Sequence, residues 1–451
     1  MASTVHVLVI PFPIQGHLTP LVQFSKRLAS RGVGATIVAP ASITSCLQTN
    51  SSLIRIESIA DAAGPPDGVD AISGWIMDLL SKNLADIASR AAGPGCVLAA
   101  VVYDSIMPWV AEIARRLGLR AAAFNSQSCA VFSIYHHADL GSLELAAPVE
   151  GSALSLPSMT PLGLGDLPSF LGDKNSYSSL LKLVLGRNLN SHQADWLLFN
   201  TFHELEKELL EWMAAQFPAK VIAVGPLLPS MYLDRRMIDD DSYGLSLFKP
   251  DSNNCMKWLD AQEPGSVVYV SFGSLANLND HQMTEIALGL VQSKCKYLWV
   301  IRSSEQSKLP IHLLPDNSDA GMITSWCPQL DVLSHQAIGC FITHCGWKST
   351  LEALSLGVPV VVMPQWTDQP TNAKYLVDVW NIGVHVTAGE NGMVTREEVE
   401  RCLVEVMKGN KGTLLKENAA KWRQLAKEAV DIGGSSYNNI EEFVSAISIQ
   451  K

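Results

Sequence analysis

With 451 residues, 47% hydrophobic and 17% charged, the chain has material for two or three domains with large cores, and its composition argues against long disorder. A net charge of -11 argues against nucleic acid and anionic membranes as general partners. Nine cysteines, odd in number and without a CxxC pair, fit reduced thiols of the cytosol rather than a disulfide framework.

Residues 5–10 are apolar, with no basic residue before them and no small-residue cleavage site after them. They read as a strand leaving its sheet at Pro11-Phe12-Pro13, not as a signal peptide. Residues 35–39, 97–103, 120–124, 195–199 and 220–224 read as further strands, with helices expected over 18–30 and 108–117. Pro226 and Pro229 close this half. Residues 230–255 are polar and rich in turn formers, so they read as a linker, with Asp239-Asp240-Asp241 as a solvated charge run rather than a metal site. Alternation resumes at 267–271, 296–301, 322–324, 338–343 and 358–363, and 437–449 carries apolar residues at helical spacing. Short Val/Ile/Ala runs between amphipathic segments mean parallel sheets covered by helices, an α/β chain. No apolar run reaches the roughly 18 residues of a transmembrane helix.

Two strand ends carry candidate chemistry. The first empties into Ile14-Gln15-Gly16-His17, where Gly16 permits a tight bend and leaves His17 at a helix start. The dipole there favours the neutral imidazole and its use as a base. The strand 97–103 ends at Asp104. If both strands share one parallel sheet, Asp104 can hold one ring nitrogen of His17 and stabilise the imidazolium. Position alone favours plainer roles: a structural turn for His17, and a cap for Asp104 on the helix near Pro108.

The densest signal lies at 326–369. Trp326-Cys327-Pro328-Gln329 opens this window. His344-Cys345-Gly346-Trp347-Lys348-Ser349-Thr350 and Glu352 occupy its middle, and Trp366-Thr367-Asp368-Gln369 closes it. Two tryptophans offer flat faces for a base. Ser349 and Thr350 can cap a helix beginning at Gly346, whose free N–H groups suit a diphosphate. Glu352 can accept from ribose hydroxyls, and Asp368 and Gln369 suit sugar hydroxyls.

This window resembles the signature box of plant family-one, UDP-sugar-dependent glycosyltransferases. The segments ending at His17 and Asp104, Gly225-Pro226, Ser271-Phe272-Gly273-Ser274 and Asp368-Gln369-Pro370-Thr371-Asn372-Ala373-Lys374 resemble the same family. The resemblance implies a GT-B fold: two doubly wound Rossmann-like domains facing across a cleft. These are an acceptor-binding domain at 1–229 and a UDP-sugar-binding domain at 256–432, joined by the linker 230–255. A final helix over 433–451 returns to the first domain.

It also implies His17 as general base and Asp104 as its partner. Trp326, Cys327, Gln329, His344, Trp347, Lys348, Ser349, Glu352, Asp368, Gln369 and Ser274 become donor-site residues, and a closing Gln accompanies glucose. The loop with Ser126, Gln127 and Cys129 would touch sugar and acceptor, while Trp109, Phe124, Phe132, Tyr135 and His136 line an apolar acceptor pocket or belong to the core. The expected activity is inverting transfer of a hexose from a UDP-sugar to a small apolar plant metabolite. No cofactor, metal or stable membrane insertion is expected, and the protein is expected to be a cytoplasmic monomer. One position departs: Lys348 stands where the family has Asn.

Two other classes compete. A dinucleotide-dependent oxidoreductase should carry Gly-x-Gly-x-x-Gly after its first strand; this chain does not, and Gly163-Leu164-Gly165 lacks the third glycine. A non-catalytic UDP-sugar binder is favoured only by Lys348.

Overall fold

The computed structural model describes residues 4–49, 51–61, 64, 66, 69–91, 95–143, 153–172, 178–245, 252–309, 320–389 and 392–449. The chain divides into two compact units, Met1–Leu247 with Lys427–Lys451, and Phe248–Ala426.

Unit 1 is built on seven parallel strands: β1 (Thr4–Ile10), β2 (Gly34–Pro40), β3 (Ile54–Ile59), β4 (Cys96–Asp104), β5 (Arg120–Asn125), β6 (Trp196–Phe199) and β7 (Lys220–Ala223). Their order is β3-β2-β1-β4-β5-β6-β7. β2 is buried along its whole length and β1 from His6 onward, as a sheet with helices on both faces requires. The strand order reverses direction between β1 and β4, so the crevice beyond their carboxyl ends is the expected ligand position of such a sheet. Ile10 stands level with Tyr103, which brings Pro11 and Asp104 to the same edge.

Unit 2 has six parallel strands: β8 (Val267–Ser271), β9 (Lys296–Val300), β10 (Gly321–Thr324), β11 (Ile338–Thr343), β12 (Val360–Val362) and β13 (Gly383–His385). The order β10-β9-β8-β11-β12-β13 puts the reversal between β8 and β11. The α/β, doubly wound expectation holds for both units. The sequence reading missed β3, whose Arg55, Glu57 and Ser58 dilute its apolar signal, and the three-residue β13.

The helix Ser435–Ser448 places Ile440, Phe443 and Ile447 in the core of unit 1 beside Val7, Leu21 and Phe24. Residues 230–245 are fastened to the same unit. Asp234 pairs with Arg27 at 2.5 Å and with Arg236 at 2.7 Å. Asp240 is buried, 2.8 Å from Lys26 Nζ, and accepts from the Ser230 N–H at 2.7 Å. Within the tract Asp239–Asp241 the outer two residues are exposed, as a solvated run requires, while the middle carboxylate is buried against an internal cation. Of the rest of the expected linker, 246–251 lie outside the described residues, and 252–255 are not linker but the first turn of a helix, Ser252–Asp260.

Candidate active site

In unit 1 the helix Gln15–Ala29 follows β1 directly, and His17 lies in its first turn with its backbone N–H on the Ile14 carbonyl at 2.9 Å. Gly16 lies inside this helix, without positive φ and with nothing near a would-be Cβ. The tight bend expected of it is absent, since the turn is made before Gln15. His17 Nδ1 is 2.7 Å from Asp104 Oδ2, and Asp104 is fully buried while the imidazole keeps 22% exposure. The other Asp104 oxygen accepts from the Ile106 N–H at 3.2 Å. With the carboxylate at Nδ1 that nitrogen carries the proton, which leaves the ring's lone pair at Nε2. Ser126, at the end of β5, brings its hydroxyl to 2.9 Å from the same Nδ1 and so makes a third member of the group.

The acceptor candidates separate. Gln127 is half-buried and takes a hydrogen bond from Arg187 Nη1 at 2.7 Å. Trp109 opens the helix Trp109–Arg116 just after the Asp104 turn. Tyr135 and Phe132 are buried, with the Arg187 guanidinium 5.1 Å and 5.5 Å from their ring centres. Cys129 is buried too, and His136 Nδ1 lies 2.8 Å from Asn188 Oδ1. Phe124 takes the core alternative: it is fully buried in the core of unit 1, its ring 5.9 Å from that of Phe24. Arg187 carried no sequence signal, because a lone Arg between polar residues reads as surface.

In unit 2 the turn after β11 is tightly specified. Cys345 has φ +66°, a conformation uncommon for a residue with a side chain. It is held by its N–H on Thr343 Oγ1 at 3.1 Å and by Asn372 Nδ2 on its carbonyl at 2.9 Å. The His344 ring sits between two glycines. A Cβ at Gly346 would lie 2.7 Å from Nε2, and one at Gly273, where φ is +75°, would lie 2.8 Å from it. The helix Trp347–Leu356 begins here with Gly346 as its cap residue. Ser349 and Thr350 are not caps. They lie inside the first turns, where Ser349 accepts from Gln329 Nε2 at 3.2 Å and Thr350 Oγ1 reaches the Cys345 carbonyl at 3.4 Å. The Trp347 indole is packed inward, 6.0 Å from the Trp380 ring, so this residue meets the helix start through its backbone. Trp326 follows β10 and is half-buried.

Glu352 is fully buried. One carboxylate oxygen takes Gln329 Nε2 at 2.5 Å, and the other lies 3.4 Å from Lys348 Nζ. Tyr269, which the sequence reading missed, donates to Gln329 Oε1 at 2.9 Å and lies 3.3 Å from Cys327 Sγ; burial pushes its phenol well above the ordinary range. Asp368 takes Asn372 Nδ2 at 2.8 Å, and its i,i+4 spacing to Asn372 was the available signal for that contact. Gln369 Oε1 accepts from the N–H groups of Gln365 and Trp366, at 2.8 and 3.1 Å. The loop holding Ser274 is gripped by Arg302, whose Nη1 donates to the Ser274 carbonyl at 2.5 Å and whose Nη2 donates to that of Ala276.

Burial and the Lys348 charge hold His344 down to about 4 from 6.5, against a hydrogen bond to the Ser271 backbone that favours the protonated ring. His6 in β1, 2.7 Å from Thr36 Oγ1, is also pushed down to about 4 by burial and by Arg55. Between about pH 4 and 6.5 the unfolded chain then binds more protons at these sites than the folded one. Stability should fall as pH falls through that window, by on the order of 2 kcal/mol for each histidine. The expected result is a melting temperature that drops between pH 7 and 4.5, with a smaller drop in His6→Gln. An equally steep drop in that variant would remove His6 from the account.

Residues 237–429 match the family described as UDP-glucoronosyl and UDP-glucosyl transferase, and residues 3–56 match the glycosyltransferase N-terminal domain. UDP-glucosyltransferase 74AE2 of Panax ginseng is 46% identical, with 99% of each chain covered. Flavonol 7-O-beta-glucosyltransferase UGT74F1 of Arabidopsis thaliana is 44% identical, again with 99% of each covered. The crystal structure of Os79 from O. sativa in complex with UDP matches with a TM-score of 0.89 at 35% identity, covering 98% of this chain and 100% of that one. An identity that runs through both units at this level places the chain in the plant UDP-glycosyltransferase family, as a GT-B enzyme whose co-substrate is a UDP-sugar.

Proposed function

We propose that this enzyme transfers glucose from UDP-glucose, with inversion, to a hydroxyl or carboxyl group of a small apolar plant metabolite, with His17 as general base and Asp104 as its partner. The observation that carries this reading is the 2.7 Å contact between His17 Nδ1 and the fully buried Asp104 carboxylate. The acceptor O–H gives its proton to His17 Nε2 as its oxygen bonds to the anomeric carbon. The bond from that carbon to the phosphate oxygen breaks on the opposite face, and its electron pair leaves with UDP. Asp104 holds the tautomer and stabilises the imidazolium. The same contact speaks against a protein that merely binds nucleotide sugars, since a binder has no use for an oriented base.

For the donor, Trp326 stacks on the uracil and Gln329 and Glu352 hold the ribose. His344, Ser349, Ser274 and the N–H groups at Trp347 hold the diphosphate. Cys327 backs this group through Tyr269. Asp368 and Gln369 hold the sugar, the latter pinned through its carbonyl so that its amide N–H groups are what it offers a ligand. Ser126, Gln127, Trp109 and Tyr135 shape the acceptor end. We take unit 1, which runs past the expected boundary at 229, as the acceptor domain, and unit 2, which ends before the expected 432, as the donor domain. A cytoplasmic location fits nine cysteines of which none is in a disulfide, and we take the protein as a monomer.

The test is transfer to a mixed panel of phenols, carboxylic acids and hydroxylated terpenoids, read by mass spectrometry, with UDP-glucose, UDP-galactose and UDP-rhamnose in competition. Glucosides should dominate the products. Equal or better use of galactose or rhamnose overturns the sugar assignment, and absence of transfer from all three overturns the activity.

A further inference from the structure

The carboxylate that holds His17 sits at a strand end gripped from both faces of the sheet. Side chains alternate along β4, so Val102 and Asp104 share one face. There Val102 lies in the core with Leu21 and Phe24 of the helix that carries His17. Tyr103 points to the other face and is fully buried. Its hydroxyl donates to Asn190 Oδ1 at 2.7 Å, and Asn190 Nδ2 donates in turn to the Ser105 carbonyl at 2.6 Å. One amide fastens the residues immediately before and after Asp104. A carbonyl can only accept, so the amide NH2 must face Ser105 and its oxygen is left for the phenol. Asn190 is itself fully buried, in the short helix Asn190–Gln193 that leads into β6. A buried amide costs stability unless both its ends are satisfied, and here both are satisfied at the one turn that carries Asp104. An apolar side chain of the same size would fill the space, but it would leave that turn untied.

We propose that Asn190 is a positioning residue for the transfer reaction: by tying Tyr103 and Ser105 together at the end of β4, it sets the Asp104 carboxylate where it holds His17. The inference rests on the base reading above and extends it to a residue that acts through the neighbours of Asp104. The contact from Asp104 Oδ2 to His17 Nδ1 is 2.7 Å, the short length of a charge-assisted bond, and it depends on direction as well as distance. A carboxylate free to turn at the strand end loses both, and a displacement of about 1 Å in a catalytic group can cost about a hundredfold in rate.

The test is a double-mutant cycle of Asn190→Leu, which keeps the volume of the amide, with Asp104→Asn. Its readouts are single-turnover transfer from saturating UDP-glucose to the best acceptor of the panel above, and calorimetric binding of UDP. Asn190→Leu alone should lower the rate about tenfold to a hundredfold while UDP affinity stays within about twofold. Added to Asp104→Asn it should lower the rate by less than about threefold, because no charge is left to aim. Tyr103→Phe removes one oxygen and one arm of the brace. It should slow transfer about threefold to tenfold, again only while Asp104 is present, and it carries the test if Asn190→Leu does not fold. Parental rates in the single variants overturn the proposal. So does an equal loss with and without the Asp104 carboxylate, which would mean that Asn190 serves only the fold of unit 1. A parental rate in Asp104→Asn alone would bring down the partnership of Asp104 with His17, and this inference with it.

Discussion

His17→Ala should lose nearly all transfer while still binding UDP, because the change removes the proton acceptor and leaves every proposed donor-site residue of unit 2 in the chain. Loss of a general base costs about two to four powers of ten in rate. Asp104→Asn should also be slow by at least about tenfold to a hundredfold. It keeps the shape at Nδ1 but loses the charge that stabilises the imidazolium, and the amide can present N–H where the ring nitrogen needs an acceptor. Single-turnover rates with saturating UDP-glucose, beside calorimetry with UDP, separate the two effects. Near-parental turnover in His17→Ala would sink the base assignment. Parental turnover in Asp104→Asn would leave His17 as a base without a charged partner.

The second large effect is expected at a glycine. A Cβ at Gly346 would lie 2.7 Å from His344 Nε2 and 3.4 Å from its Cδ2, so either the imidazole or the first turn of the helix must move. The φ at Gly346 is -58°, so backbone strain plays no part and the contact alone decides. Gly346→Ala should weaken UDP binding by about tenfold to a hundredfold and cost about 1–3 kcal/mol of stability, as overpacking typically does. Gly16→Ala is the stability control. Nothing lies within 4 Å of its would-be Cβ, and Ala is the better helix former, so folding should hold or improve. UDP titrations and thermal melts of both variants check this. An unshifted UDP affinity in Gly346→Ala would mean that the ring's position between the two glycines does not matter for the nucleotide.

Much of this architecture was legible because it rests on local regularities. Apolar runs such as 267–271 and 338–343 have no polar alternation, and only a strand covered on both faces tolerates that. β3 escaped because Arg55 and Glu57 break the run, and its membership depends on pairing with β2. The window 326–369 was legible as chemistry because the proposed donor-site residues come from few elements, each near its neighbours in sequence. Where side chains point was less legible. Trp347 reads as a donor-site residue but its indole is turned inward onto Trp380, and Ser349 reads as a cap but serves Gln329 from within the helix.

By itself the sequence determined that the chain is α/β, that β1 ends at Ile10 ahead of the helix start carrying His17, that β4 ends at Asp104, and that His344 to Glu352 form one turn and helix. These follow from periodicity and turn chemistry over a few residues. Only the tertiary structure decided that His17, Asp104 and Ser126 meet at one ring nitrogen, since they are 87 and 109 positions from His17 along the chain. It also decided that Asp240 is buried on Lys26 and that Lys348 is held on Glu352. The physical reason is the same each time. A charged side chain's partner is chosen by strand order and packing, and strand order is a property of the whole sheet, which no short stretch of sequence contains.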